Sequence, residues 1–307
     1  IAATMISPSM VWTLRKIAKE YDLIHVHHPD PMACLALFCS GFKGKVVLHW
    51  HSDILKQKSL LKLYRPFEKW LIRRADMIVG TTPVYVQQSP MLKEVQHKVD
   101  YIPIGVEELQ PTPEGVERIR SQYPGKKIVY SLGRLVEYKG FVHLVDAASH
   151  LDEEYVVLIG GNGPLRETIE RRIEELELQD KVKLLGYVKE EESADYFGAC
   201  DVFCLSSIWK TEAFAIVQVE AMSCGKPIVA TRIPESGVSW VNRHEYSGVN
   251  VPIKSGIFLA EAIHYLTKSE WIYDGYAERA RRLYEECFTL DKMIDRCVIL
   301  YDKILSE

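Results

Sequence analysis

The chain has 307 residues, of which 47% are apolar and 26% charged, and its formal net charge is −4. This length suffices for two domains with cores of their own, and the charge balance argues against a nucleic-acid-binding protein. The seven cysteines include no CxxC pair, which favours a reducing compartment over a disulfide framework. No apolar run reaches the roughly 18 residues of a membrane span. We therefore predict a cytoplasmic protein, and peripheral association with the inner face of the membrane remains open.

The first third of the chain alternates strand and helix patterns. Strands are predicted at 23–28, 46–53, 76–82 and 98–105, with helical patterns within 1–22, 31–41 and 59–74. Such alternation is typical of a parallel sheet with right-handed crossovers. Because the chain begins at Ile1 in the middle of an α/β unit, we expect an N-terminal segment to be missing.

Residues 107–115, EELQPTPEG, interrupt this alternation and are interpreted as an interdomain linker. A second α/β series follows, with strands near 127–134, 155–160, 181–188, 201–205, 228–231 and 246–251, and it ends in three helices. The fold class is therefore α/β, with two Rossmann-like domains that face each other across a cleft. The predicted domains are 1–106 and 107–289.

Residues 206–227, SSIWKTEAFAIVQVEAMSCGKP, join two of these strands and carry Glu212 and Glu220. If both glutamates lie on one helix, they are about 12 Å apart and cannot share one proton or one metal. They could instead contact the two ends of an elongated ligand, with the free amides at Phe214–Val217 holding a diphosphate between them. On composition alone, two glutamates on a solvated helix face are the more probable interpretation.

Two further loops contain residues of the types that bind phosphate. Arg134 and Lys139 lie on the loop after one strand, where an Arg and a Lys suit a diphosphate. The turn GGNGP at 160–164 could let the backbone approach a phosphate, with Pro164 near the start of the next helix. Ordinary surface charges and a plain tight turn explain the same residues, and the turn is a weak dinucleotide motif because it lacks the last glycine of GxGxxG.

Histidines cluster at the ends of two first-half strands. His51 lies beside Trp50 and Asp53 at a strand end, where it could donate to a sugar hydroxyl or a phosphate oxygen. Alternation would align His25 with His27 on one face. No HExxH motif or cysteine partner accompanies them, so we predict no metal site.

The helix at 59–74 combines five basic residues with Leu, Phe and Trp. This composition is typical of a membrane-surface helix, and an amphipathic helix packed on its own domain explains it equally well. Pro66 could kink this helix.

The order of these motifs resembles that of the retaining GT-B glycosyltransferases, specifically the glycosyl transferases group 1 family with its Glu-x7-Glu motif. The matching segments span about Val46 to Pro252 and are SLGRLVEYKG, LIGGNGPLR, VKLLGYV and EAFAIVQVEAMSCGKPIVAT. The resemblance implies transfer of a hexose from a UDP- or GDP-sugar to a glycan or lipid-linked acceptor. It implies retention of anomeric configuration, no metal and no cofactor besides the donor, and a place in surface polysaccharide or glycolipid biosynthesis.

The resemblance also implies site residues. Those with catalytic roles are His51, facing the donor sugar, Arg134 and Lys139 on the phosphates, and Glu212 on the sugar hydroxyls. Donor-binding positions are Gly161, Gly163, Val188, Phe214, Ala215, Ile216, Val217 and Glu220, with Glu220 on the ribose. The last helix, near 290–307, would cross back onto the first domain.

Two departures from the family pattern are visible. Ala215 stands where the family commonly has glycine, and the glycine-rich turn that normally begins the first domain is absent from this sequence. Three alternatives to a transferase remain open: a nucleotide-sugar epimerase or hydrolase on the same fold, a Rossmann oxidoreductase, and a non-catalytic binding subunit. The incomplete GxGxxG disfavours the oxidoreductase. The combination of Arg134, Lys139 and Glu212 disfavours the binding subunit.

Overall fold

The computed structural model describes residues 7–54 and 58–306. The first six residues, which the domain prediction included, lie outside the described residues, as does the side chain of Leu60 in the predicted basic helix. The chain divides into two compact units. Unit 1 comprises Ile1–Ile104 with Met293–Glu307, and unit 2 comprises Gly105–Lys292.

Unit 1 contains a four-stranded parallel sheet in which the strands follow one another in chain order, β1-β2-β3-β4. Its elements before residue 105 are α1 (Pro8–Ile17), β1 (Leu23–His28), α2 (Pro31–Ser40), β2 (Lys45–Trp50), α3 (Lys58–Arg74), β3 (Met77–Gly80), α4 (Pro83–Gln88) and β4 (Val99–Tyr101). The four predicted strands are confirmed, although β4 is only three residues long.

Local signals explain where α2 begins and ends. The Asp30 carboxylate accepts hydrogen bonds from the amides of Met32 and Ala33 at 2.9 and 3.1 Å, which satisfies two free N–H groups of the first turn. Gly41 ends the helix with φ of 68°, a left-handed conformation that glycine adopts without steric cost.

Unit 2 contains a six-stranded parallel sheet in the order β10-β9-β8-β5-β6-β7. Its elements, together with the last helix of the chain, are α5 (Pro113–Arg120), β5 (Lys127–Leu132), α6 (Phe141–Ala148), β6 (Tyr155–Gly160), α7 (Arg166–Glu175), β7 (Val182–Gly186), α8 (Glu190–Ala199), β8 (Val202–Leu205), α9 (Ile216–Ser223), β9 (Ile228–Arg232), α10 (Val238–Val241), β10 (Gly248–Pro252), α11 (Gly256–Thr267), α12 (Glu270–Cys287) and α13 (Leu290–Ser306). This order is that of a doubly wound Rossmann sheet.

Helix α13 starts in unit 2 and continues into unit 1. Its residues Leu300 and Ile304 are buried with Val47, Val79 and Ile102 in one apolar cluster of unit 1. Burial of these side chains fixes the C-terminal helix against the sheet of unit 1.

The interpretation of 107–115 as a linker is wrong at its C-terminal end. Thr112 caps α5 by accepting a hydrogen bond from the Gly115 amide at 3.1 Å, and Pro113 occupies the first turn. The buried carboxylate of Asp195 accepts hydrogen bonds from the Thr112 amide and hydroxyl at 2.7 and 3.0 Å. The proline that suggested a linker instead starts a helix, as proline commonly does at this position.

One further boundary differs from the prediction. Helix α7 begins at Arg166, so Pro164 precedes it. Residues 233–247 between β9 and β10 include the short helix α10. Pro66 lies inside α3, which runs from Lys58 to Arg74.

All seven cysteines are free thiols. Within the described part of the chain, no helix is long and apolar enough to cross a membrane.

Candidate active site

The candidate site of unit 2 lies where the winding of its sheet reverses. From β5 the chain continues to β6 and β7 on one side, whereas β8 pairs with the other side of β5 and leads to β9 and β10. In open parallel sheets, ligands bind at this reversal, beyond the carboxyl ends of the strands. Lys139 follows β5 and Glu212 follows β8, so both lie at this edge.

Lys139 and Glu212 form the central contact of the site. Lys139 Nζ lies 2.5 Å from Glu212 Oε2, and the two side chains are only 11% and 10% exposed. The same carboxylate oxygen accepts a hydrogen bond from Ser207 Oγ at 2.8 Å. A lysine and a carboxylate are thus held nearly buried at the sheet edge, where a charge costs little only if it is paired.

The backbones of the two loops pack directly on each other. Ser206 Oγ donates to Lys139 O at 2.9 Å, and the Ile208 amide donates to Tyr138 O at 2.7 Å. Gly140 has φ of 64°, and a Cβ at this position would collide with the Ser206 carbonyl oxygen. The loop of Lys139 is therefore fixed against the loop of Glu212 by the main chain itself.

The glycine turn after β6 packs on the same loop from the other side. Gly133 N donates to Gly160 O and Leu135 N donates to Asn162 O, both at 3.0 Å. A Cβ on Gly161 would collide with the carbonyl oxygen of Gly133, and a Cβ on Gly163 would collide with Leu135 O. Close packing of two loops thus accounts for both glycines, whether or not they also approach a ligand.

Arg134 lies on the β5 loop beside this turn. Its side chain is exposed, and no side-chain hydrogen bond or ion pair of Arg134 occurs within residues 7–54 and 58–306. It shares the loop between β5 and α6 with Lys139. Val188, which follows β7, is half-buried, and its Cγ2 lies 2.8 Å from the position that a Cβ on Gly160 would take.

Glu212 does not lie on a helix, which contradicts the expectation of one helix carrying both glutamates. Helix α9 begins at Ile216, and Glu212 precedes it in a loop where its amide donates to Trp209 O at 2.9 Å. Only Glu220 is helical. The separation of about 12 Å that a continuous helix predicts therefore does not apply to this pair.

At the start of α9 the Phe214 side chain is buried, and the backbone amides of the first turn are free to bind a ligand. Phe214 is 4% exposed and makes an edge-on contact with Phe288 at a centroid distance of 5.9 Å. Ile216 and Val217 occupy the first turn, where helix geometry leaves amides without intrahelical acceptors. Ala215 is the N-cap, with φ of 61° and ψ of 77°, a left-handed conformation that is unusual for a residue with a Cβ.

Glu220 lies one turn after the start of α9, and it is half-buried. Burial raises the pKa of its carboxyl group above the ordinary value. The Tyr130 hydroxyl is fully buried without a hydrogen-bond partner in the described chain, and burial raises its pKa. Tyr130 Oη lies 3.2 Å from the position that a Cβ on Gly160 would take.

Sequence reasoning missed the residues that support Glu212. Ser207 hydrogen-bonds its carboxylate, and Ser236 Oγ donates to its carbonyl oxygen. Ser207 could have been recognised as a polar residue at a strand end, whereas Ser236 is 24 positions away and carries no local signal.

The candidate residue of unit 1 is His51, which follows β2. Its amide donates to His28 O at 3.0 Å, and its Nε2 lies 2.7 Å from His27 Nδ1. Burial, with a smaller contribution from His27, lowers the pKa of His51 to about 4. The ring is thus neutral near pH 7 and offers one donor and one acceptor.

Asp53 has a structural role in unit 1. Its carboxylate accepts hydrogen bonds from Trp50 Nε1 at 3.0 Å and from Ser89 Oγ at 2.7 Å, and the residue is 8% exposed. These bonds fix the turn that carries His51.

Comparison with known sequences gives two family matches. Residues 116–286 match the model described as "Glycosyl transferases group 1", and residues 4–108 match "Glycosyltransferase Family 4". The O-antigen chain mannosyltransferase C of Escherichia coli is 32% identical over 309 residues, covering 100% of this chain and 82% of the relative. The D-rhamnosyltransferase WbpZ of Pseudomonas aeruginosa is 30% identical over 292 residues, covering 94% and 75%.

Solved structures share the fold. Anabaena Alr3699/HepE in complex with UDP has a TM-score of 0.84 at 22% identity, covering 97% of this chain and 84% of that one. The sucrose-phosphate synthase of Thermosynechococcus elongatus has a TM-score of 0.78 at 22% identity, covering 100% and 82%. The two parallel sheets are accordingly those of the GT-B fold, as the sequence predicted.

The left-handed conformation of Ala215 leads to a stability prediction. Ala215→Gly removes a buried methyl group but relieves a conformation that costs a residue with a Cβ about 1 kcal/mol or more. The matched control is Ala221→Gly, which removes a fully buried methyl group from the right-handed interior of α9, where glycine costs a further 0.5–1 kcal/mol or so.

We expect Ala215→Gly to be more stable than Ala221→Gly by at least about 1 kcal/mol. Urea denaturation monitored by circular dichroism measures the two midpoints. Equal destabilisation by the two substitutions would contradict the assigned backbone conformation.

Proposed function

Because the chain belongs to the Glycosyl transferases group 1 family, we propose that it transfers a hexose from a UDP- or GDP-sugar to a glycan or lipid-linked acceptor with retention of anomeric configuration. The proposal includes a role in the biosynthesis of a surface polysaccharide or glycolipid. It is supported by the E. coli and P. aeruginosa relatives, whose names describe O-antigen mannosyl transfer and D-rhamnosyl transfer. The structure of HepE with UDP-glucose, at 21% identity, is a further parallel in fold.

The observation that carries the proposal is the Lys139–Glu212 contact at the reversal of the sheet. Departure of a nucleoside diphosphate leaves negative charge on phosphate oxygens. Lys139 and the exposed Arg134 supply positive charge on the loop after β5, and fixed positive charge at that point lowers the barrier to departure.

In this proposal Glu212 binds hydroxyls of the donor sugar. Its carboxylate is oriented by Ser207 independently of Lys139, so Lys139 could turn to the phosphates while Glu212 stays in position. The amides of Ile216 and Val217, with the backbone at Phe214 and Ala215, contact the sugar and the diphosphate. A donor phosphate would also be favoured there by the positive end of α9.

The remaining residues are proposed to contact the nucleoside end or the sugar end of the donor. Glu220 binds the ribose, Val188 lines the base pocket, and Gly161 and Gly163 border the nucleotide. His51 acts on the donor sugar from the first domain. The domain assignment belongs to the proposal: residues 1–106 with 290–307 serve the acceptor, and 107–289 bind the nucleotide sugar.

Two other activities have distinct signatures. A nucleotide-sugar epimerase or hydrolase would turn over donor equally well with and without acceptor, whereas a transferase needs the acceptor. A Rossmann oxidoreductase would bind NAD(P), and we expect no thermal shift of this protein with either nucleotide. Calorimetry with a panel of UDP- and GDP-sugars identifies the donor before transfer is measured.

Loss of either partner of the central ion pair is expected to abolish most turnover. Glu212→Ala and Lys139→Ala should each lower kcat about 100-fold or more, the scale of losing one electrostatic contact in a transition state. Transfer of labelled sugar from the identified donor to the membrane glycolipid or glycan fraction measures the effect.

The matched control is Lys183→Ala, which removes a lysine bound to the Gln179 carbonyl oxygen at the edge of the same sheet. It should leave kcat unchanged. Because each site variant leaves a nearly buried charge unpaired, thermal unfolding must establish that the variant is folded. Near-normal turnover in a folded Glu212→Ala or Lys139→Ala protein would refute the roles proposed here.

Nucleotide affinity should depend on the ionisation of Glu220. Burial raises the pKa of this carboxyl group, so it takes up a proton at a higher pH than an ordinary glutamate does. The ionised carboxylate can accept a hydrogen bond from each ribose hydroxyl with its two oxygens, whereas protonation turns one of these oxygens into a donor. Lowering the pH through the raised pKa should therefore weaken binding of UDP or GDP, and raising it should restore binding.

Calorimetric Kd values between about pH 7 and pH 5 test this dependence, with Glu220→Gln as the control. The nucleotide's own terminal phosphate titrates near pH 6, and this contribution remains in the variant. We expect the wild type to lose more affinity over this range than Glu220→Gln does. Parallel pH profiles for the two proteins would show that Glu220 does not bind the ribose.

The proposal also includes contact of unit 1 with an anionic membrane surface through α3. Leu63 on this helix is 75% exposed, and the helix also exposes Lys62, Lys69 and Arg73, while Leu71 and Ile72 are buried in the unit. A helix that exposes both an apolar side chain and several cations suits the interface of anionic lipids.

Leu63→Asp should reduce sedimentation of the protein with anionic liposomes. Trp271→Asp is the matched control, since Trp271 is 84% exposed on α12 of unit 2. Equal sedimentation of Leu63→Asp and wild type, or no sedimentation of the wild type, would remove α3 as a membrane contact.

A further inference from the structure

Four histidines form one face at the carboxyl end of β1 and β2. In the parallel register His27 lies opposite His49, and His25 and His51 extend the face in the two directions. The rings are stacked, with centroid distances of 4.9 Å between His25 and His27, 5.1 Å between His27 and His49, and 4.2 Å between His49 and His51. Strand alternation alone places them on one side of the sheet.

His49 is buried among these rings without any hydrogen bond. It is 5% exposed, and neither its Nδ1 nor its Nε2 has a partner in the described chain. A buried polar group without a partner is unfavourable, and such a group often marks an ion or water that completes its bonding. Because an imidazole always has one nitrogen with a free lone pair when neutral, His49 presents an unused ligand atom to its neighbours.

His25 and His27 each have one nitrogen engaged in a hydrogen bond and the other available. Nδ1 of His25 lies 2.5 Å from Tyr301 Oη on α13, and Nδ1 of His27 lies 2.7 Å from His51 Nε2. Nε2 of His25 is buried and without a partner. Histidines that bind metals are typically arranged in this way, with the second ring nitrogen hydrogen-bonded so that the tautomer and the ring orientation are fixed.

One ring nitrogen from each of His25, His27 and His49 lies within 4.8 Å of the others. We propose that these three histidines bind a transition-metal dication, with Zn²⁺ as the representative ion and Tyr301 and His51 as the residues that position His25 and His27. Three imidazoles and one open position are a common zinc donor set, and imidazole favours zinc, copper and nickel over magnesium and calcium.

Binding requires a rearrangement of the rings and no change of their charge. Zn–N bonds of about 2.1 Å bring tetrahedral ligand atoms to roughly 3.4 Å from one another, so the three nitrogens must approach by about 1 Å. The rings are within 19° of parallel, so they must also rotate until their in-plane lone pairs converge on the ion. All three rings are already in the neutral form that binds metals. Burial is the main cause, and it lowers the pKa of His25 to about 4 and that of His49 to about 2.

The expectation that no metal binds here came from the absence of an HExxH motif or a cysteine partner. That expectation did not use strand register, which brings two of the three ligands, His27 and His49, together across strands. The inference does not rest on the proposed transferase activity: His51 has a role in both, but zinc binding is measured without donor or acceptor.

Isothermal titration calorimetry of the untagged full chain with ZnCl₂, in a buffer free of chelators, tests the proposal. We expect one saturable site in the wild type. His27 is exposed, so His27→Gln should fold normally, and it should lower zinc affinity by at least about 10-fold. The matched control is His97→Gln, an exposed histidine of the same unit, which should leave the affinity unchanged.

Tyr301→Phe tests the positioning role while keeping the ring in its place. It should lower zinc affinity about 10-fold but leave the thermal unfolding temperature in EDTA unchanged, a combination that a purely structural role would not produce. No saturable heat in the wild type would overturn the proposal, as would zinc affinity in folded His27→Gln equal to that of the wild type.

Discussion

The ion pair between Lys139 and Glu212 is the contact at the candidate site that depends most directly on the order of strands in unit 2. The two residues follow β5 and β8, which are neighbours in the sheet although about 70 residues of chain separate them. Only a doubly wound topology makes neighbours of these two loops. The contact therefore depends on the pairing of β5 with β8, and a strand order without this pairing would separate the two charges.

In unit 1, the parallel pairing of β1 and β2 brings histidine side chains together. Adjacent parallel strands in register place like positions side by side, and here both strands carry histidine at alternate positions. The stacked rings exclude water from one another, which lowers their pKa values, so that a face that could carry up to four positive charges is neutral. His51 shares in this effect, and its neutrality near pH 7 comes from its neighbours as well as its burial.

The alternation of strands and helices was predictable because each element has its own signal. Asp30 before α2 and Gly41 after it are examples, and both act within one turn of the helix. The start of α9 was predictable in part. The free amides of its first turn were expected at Phe214–Val217, and the helix begins at Ile216. The loop position of Glu212 was less predictable, because apolar residues continue through 206–215 at helical spacing and the left-handed turn at Ala215 carries no glycine as a marker. Thr112 and Pro113 were misread for a related reason, since the same residues start helices and break them. The pairing of His27 with His49 depends on strand register, which no local pattern fixes.

The motif residues of unit 2 separate into two groups when packing is considered. Gly140, Gly161 and Gly163 each lie where a Cβ would collide with a backbone carbonyl oxygen of a neighbouring loop. The fold alone requires these glycines, so their presence is weak support for a bound phosphate. Arg134 is exposed, and the charges of Lys139 and Glu212 are costly to bury. An apolar pair of similar volume would stabilise the same loops at less cost, so the argument for chemistry at this edge rests on the charged residues and not on the glycines.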